Sequence, residues 1–105
     1  MILSTVSVGF QVSNIEIDEP IKNEMFENIK SEIPEEVHIL GLNLDKYDDD
    51  INQVVVLTVN SAFESGTTLK LTRDAYEEEI RNSVTKELIE LMNSKGVIYQ
   101  QLSTD

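Results

Sequence analysis

The residues of this chain whose types invite chemistry are its one histidine, His38, and an acidic run, Asp45, Asp48, Asp49 and Asp50. An imidazole can act as a general base or hold a metal ion, but His38 has no second histidine and no cysteine to share a metal with. A calcium loop starting at Asp48 would place Asp50 and Asn52 correctly, yet it needs Gly where Gln53 stands and Glu where Val59 stands. Carboxylate pairs carry no signal in a chain with 20 acids. The 4 glycines form no phosphate-cradling loop, and no Gly-x-Ser-x-Gly elbow occurs. The expectation is a protein that is not an enzyme, with no cofactor and no metal.

The segments that would position any functional surface are legible. Ile2, Val6, Val8, Phe10 and Val12 alternate with polar positions, as in a half-buried strand. Ile15 and Ile17 then reverse the parity, which a bulge near Ser13 and Asn14 would explain. In "DEPIKNEMFENIKSEIP" Ile21, Met25, Ile29 and Ile33 recur every four residues, with Asp18 as cap and Pro20 in the first turn. That pattern predicts a helix ending before Pro34. A second strand follows from Val37, with another parity change between Ile39 and Leu40, then a polar turn "KYDDD". "INQVVVLTVNSAF" is the third strand. "ESGTT" would turn the chain into a fourth, "TLKLT", with Leu69 and Leu71 inward. Thr72 would cap the longest helix, Arg73 to Lys95, whose stripe is Tyr76, Ile80, Val84, Leu88 and Leu91 and whose stop is Gly96. The order predicts a single domain over 1–105 of α+β class: a four-stranded, mainly antiparallel sheet packed on one long C-terminal helix.

The third strand poses the functional question. Val55, Leu57 and Val59 point one way, and Val54 and Val56 the other, so both faces of its middle are apolar. Either a partner covers the second face, or residues 20–33 fold over it as a helix. On the first reading Val54 and Val56 meet the partner, while Val55, Leu57 and Val59 are core.

Charge limits the partner. With 20 acids against 8 bases the formal net charge is −12, which repels phosphate and argues against direct nucleic-acid binding. No stretch approaches the ~20 apolar residues of a membrane span, the start "MILSTVSVGF" has no basic leader, and cysteine is absent, so a cytoplasmic setting is expected. The same charge permits an alternative: a small acidic inhibitor imitating nucleic acid, carried by a mobile element against a host defence or DNA-binding protein.

The strand pattern also resembles the SecB-like export chaperones. "GFQVSNIEI" is similar to that family's first strand, and "PEEVHILGLNLDKYDDDINQVVVLTVNSAF" to its second and third with the acidic turn between them. The spacing from Phe10 to Val37 fits as well. "VTKELIELMNSKGVIYQQL" resembles the end of the main helix and the extended stretch beyond it. The match is to a short form, without the family's second helix and tail. The resemblance implies a chaperone that holds unfolded or partner polypeptide. It also implies a homo-oligomer, with first strands around Val8 and Phe10 paired across subunits and the helix residues Tyr76, Ile80, Val84 and Leu88 packed between sheet and partner.

Overall fold

A computed structural model describes residues 2–49, 51–64 and 69–102. Its elements are β1 (Ile2–Val12), α1 (Glu19–Glu32), β2 (Val37–Asp49), β3 (Asn52–Phe63), α2 (Leu69–Lys95) and β4 (Tyr99–Gln101). The chain is thus α+β, with a four-stranded antiparallel sheet in the order β2-β3-β1-β4.

The period of two decides which side chains meet. β1 and β3 keep an unbroken register from Ile2↔Phe63 to Val12↔Gln53, so Val6, Val8 and Phe10 share a face with Val59, Leu57 and Val55. All six are buried in one apolar cluster with Ile80, Val84, Leu88 and Met92 of α2. The parity change in β2 is a bulge: Ile39 pairs with Ser61 and Gly41 with Asn60, leaving Leu40 over and 62% exposed. The extra residue keeps Leu42 and Leu44 on the helix side together with Val37 and Ile39. No bulge is needed after β1, which ends at Val12. There the chain leaves the sheet and Ile15 folds onto the core. Its backbone groups are captured by side chains from the sheet: its N–H donates to Gln53 Oε1 at 3.1 Å, and Lys46 Nζ donates to its carbonyl at 3.2 Å.

Both helices obey their caps. The Asp18 carboxylate accepts from the Ile21 N–H at 3.1 Å, and Pro20 sits in the first turn of α1. Gly96, at φ 68°, closes α2: its N–H donates to Asn93 O at 3.2 Å, and the Val97 N–H donates to Met92 O at 3.3 Å. That bond pattern is the Schellman motif, and the left-handed φ is why glycine stands there.

Three expectations are corrected. Residues 69–72 belong to α2, so "TLKLT" is not a strand and Thr72 lies inside the helix rather than at its cap. The turn at residues 65–68 lies outside the described residues. The fourth strand is Tyr99–Gln101, where the chain turns back from Gly96 onto β1. The "KYDDD" segment is mostly strand, since β2 runs to Asp49. Residues 20–33 do form a helix, but α1 lies beside α2 and buries Met25 and Ile29 in the same core cluster. It therefore does not cover the second sheet face.

Candidate functional site

That second face is built by all four strands: β2 pairs with β3 from Val37 to Asp49 and sets Asn43, Asp45 and Tyr47 opposite Thr58, Val56 and Val54. Register places Leu3, Thr5, Ser7, Gly9 and Gln11 beside Ala62, Asn60, Thr58, Val56 and Val54. Hydroxyls and amides pair across it: Thr5 Oγ1 donates to Asn60 Oδ1 at 2.8 Å, and the Ser7 and Thr58 hydroxyls are 3.1 Å apart. Its apolar residues are the half-buried Val54 and Val56, the buried Ala62, the exposed Leu3, and the exposed Tyr47 of β2 opposite Val54. Leu102 crosses onto this face over Gly9. A Cβ at Gly9 would stand 3.7 Å from Leu102 Cδ1 and 3.6 Å from Val56 Cγ2. Leu102 thus lies over Gly9, and a side-chain carbon at Gly9 would meet it at ordinary van der Waals distance. His38 is exposed on the same face, opposite Ala62.

The sheet has two outer edges of different character. The β2 edge carries the Leu40 bulge and the charged residues Asp45, Lys46 and Asp48, devices that discourage a further strand. The β1 edge is met by β4 only at Phe10–Val12, with the Leu102 N–H donating to Gly9 O at 2.9 Å and the Ser13 N–H to Ile98 O at 3.0 Å. Residues 9 and 13 thus turn their backbone groups outward. By the two-residue period so do Leu3, Thr5 and Ser7, while the even residues bond to β3. Among the described residues no strand pairs with β1 before Gly9 on that side. The free stretch, "ILSTVSV", contains no charge, no proline and no bulge.

The residues expected at oligomer contacts are placed elsewhere. Val8, Phe10, Ile80, Val84 and Leu88 are at most 1% exposed within the single chain. Phe10 meets Tyr99 edge-on with ring centroids 5.8 Å apart. Tyr76 is half-buried against Phe63, at 5.2 Å. Their side chains are already used by the fold, and what β1 leaves free is its backbone edge.

One polar cluster went unremarked in the sequence. Where α1 meets α2, Glu87 is buried and accepts from Asn28 Nδ2 at 3.0 Å, while Lys86 Nζ donates to Glu32 Oε2 at 2.7 Å. Burial pushes the Glu87 carboxyl above its ordinary value; the Asn28 amide offsets part of this and the adjoining Glu32 carboxylate adds to it. Burial acts the same way on Glu32, but the Lys86 ammonium and a hydrogen bond from Glu87 outweigh it and hold Glu32 below its ordinary value. Spacing held the signal, since 80, 84, 87 and 91 is itself a helical stripe. Ser83 and Lys86 also stand at Ser-x-x-Lys spacing. Lys86 is tied to Glu32, which raises its pKa, the reverse of what an activating base requires. Among the described residues no group of three or more His, Asp or Glu is placed to hold a metal ion.

A prediction follows for Glu87. Its folded-state pKa is raised, so its contribution favours folding at low pH and is lost as pH rises through that raised value. Glu32 behaves oppositely. Glu87→Gln keeps an acceptor for Asn28 and a donor toward Glu32 without a buried charge. We expect Tm at pH 7 to rise by about 3–6 °C, taking roughly 0.5–1 kcal/mol for the relieved site. The gain should vanish near pH 4, where the wild-type carboxyl is protonated. A variant less stable than wild type at pH 7 would mean that the ionised carboxylate supports the fold.

No family model, no curated protein and no solved structure matches the chain. Among the described residues no helix is long and apolar enough to cross a membrane.

Proposed function

We propose that this protein is a non-enzymatic polypeptide-binding module that adds an extended segment of another chain to the free edge of β1. The observation that carries the reading is the contrast between the two sheet edges. β2 is bulged and charged, whereas Ile2 to Val8 offers an uncharged edge with the backbone groups of Leu3, Thr5 and Ser7 turned outward. Strand addition takes its affinity from main-chain hydrogen bonds and so accepts many sequences, as a holder of unfolded chains must. β4 already uses the far end of this edge in the same way, with Leu102 dropped over Gly9.

The resemblance to SecB-like chaperones supports the same class of activity and its cytoplasmic setting. It would also make the edge a place where first strands of two subunits pair in a homo-oligomer. The acidic surface suits this task by keeping loaded molecules apart and by repelling nucleic acid. The reading is tested by following backbone amide exchange while a permanently unfolded, reduced polypeptide is added. Protection should appear at Leu3, Thr5 and Ser7 and persist at moderate salt.

A further inference from the structure

The seam between α1 and α2 holds more carboxylates than cations. From α1 it receives Glu24, Asn28 and Glu32. From α2 it receives Ser83, Lys86, Glu87 and Glu90. The connection after α1 adds Glu35, which stands with Glu79 at one end of the seam. The sheet beneath is apolar, with Leu42 and Leu44 of β2 packed against the core. Asn28 Nδ2 donates to Glu87 Oε1 at 3.0 Å and Lys86 Nζ to Glu32 Oε2 at 2.7 Å, so among the described residues Lys86 is the one cation bonded in this group. Glu32 and Glu87 are also hydrogen-bonded to each other, which two carboxyl groups can be only with a proton between them. We infer that this proton is a latch: while Glu87 and Glu32 share it α1 stays docked on α2, and its loss loosens α1 while the sheet stays folded.

The seam is built to give. Of the 14 residues of α1 only Met25 and Ile29 are buried, so little apolar contact holds it. Grooves open to solvent on both sides of the Asn28–Glu87 bond. One, of about 240 Å³, lies beside Ile21, Glu90 and Leu91, and the other, of about 630 Å³, beside Ile33, Ser83 and Lys86. Ser83 stands near Glu32, yet its Oγ is buried without a hydrogen-bond partner. With the proton present, Glu87 donates to Glu32, whose single charge is matched by Lys86. Without it two carboxylates face one ammonium, and Glu90 adds like charge. Burial raises Glu87, so its share in docking is complete at low pH and is lost as pH climbs through the raised value. For Glu32 burial is outweighed by its hydrogen bonds and by Lys86. Its lowered value means that its share is lost only as pH falls through that value. Docking is therefore firmest between the two. Loosening uncovers Met25, Ile29 and the core surface beneath them. Neither the β1 edge nor a bound polypeptide takes part.

Amide exchange on the full chain, corrected for intrinsic rates, tests the latch between ~pH 5 and ~pH 8. Amides around Met25 and Ile29 should be at least tenfold less protected than those of Val55, Leu57 and Val59, because α1 opens without the sheet. Their protection should fall about tenfold or more across that range, the effect of a one-unit difference in pKa. Glu87→Gln should remove this fall, since its amide donates to Glu32 without a proton to lose. Asn28→Asp, which adds a third carboxylate, should lower α1 protection about tenfold at ~pH 7 in a chain still folded by circular dichroism, and it serves if Glu87→Gln does not fold. Equal protection of α1 and β3 overturns the inference. So does α1 protection that does not fall with pH, or a fall that Glu87→Gln leaves unchanged.

Discussion

Phe10→Ala is expected to cost about 3–5 kcal/mol of unfolding free energy, the range for removing a fully enclosed aromatic ring. Phe10 is 0% exposed, stands on the strand between β3 and β4, and packs edge-on against Tyr99. Its loss opens a cavity where the sheet and the turn after α2 meet. A domain of this size holds about 5–15 kcal/mol in total, so urea denaturation should begin under nearly native conditions. Leu3→Ala is the control: that side chain is 66% exposed, and the change should stay within about 0.5 kcal/mol. The experiment also separates the two roles considered for Phe10. A residue of the single-chain core lowers the denaturation midpoint equally at every protein concentration. A residue that mainly contacts another subunit does so in a concentration-dependent way. Loss of less than 1 kcal/mol would contradict the packing described for β1.

Thr5→Pro is expected to reduce affinity for an unfolded polypeptide at least tenfold while leaving the fold intact. The Thr5 N–H points to the free edge, so proline removes a donor that only an incoming strand would use. A tenfold loss corresponds to about 1.4 kcal/mol, which one lost hydrogen bond and the bulk of the proline ring together supply. The folded chain loses only the exposed bond from Thr5 to Asn60. Val6→Pro is the informative contrast. Its N–H belongs to the ladder with β3, so that substitution should destabilise the whole sheet. Equal effects of the two prolines on stability would mean that the edge assignment is reversed. Unchanged binding by a folded Thr5→Pro variant would place the polypeptide elsewhere.

Much of this architecture was legible because it rests on local chemistry. The alternation from Ile2 to Val12, the Asp18 cap, the stripe of α2 and the Gly96 stop each depend on a few neighbouring residues. "TLKLT" misled because a short alternating run is compatible with either period, and its helical state is set by the helix it continues into. "YQQ" has no strand pattern of its own. It becomes β4 because Gly96 turns the chain back and β1 offers it partners. Which face α1 covers is a tertiary fact, and only strand order shows that, among the described residues, no strand pairs with β1 before Gly9 on its outer side. The second face proved mixed rather than greasy throughout: Ser7, Thr58, Thr5 and Asn60 line its middle with hydroxyls and amides, Asp45 stands opposite Val56, and Leu3 and Tyr47 lie exposed toward its two ends. Glu87 was one of 20 acids until packing of α1 on α2 buried it.

The most direct test of the central claim is residue-resolved amide exchange on the wild-type chain, with and without a permanently unfolded, reduced polypeptide, at low and then moderate salt. In the free protein the outward N–H groups of Leu3, Thr5 and Ser7 should exchange fast, while those of Val6 and Val8 are protected by β3. With polypeptide added, Leu3, Thr5 and Ser7 should become protected together, at both salt concentrations. Protection absent from these three amides would contradict strand addition. Binding confined to low salt and footprinting on the helices would assign the partner to the acidic surface and restore the inhibitor reading.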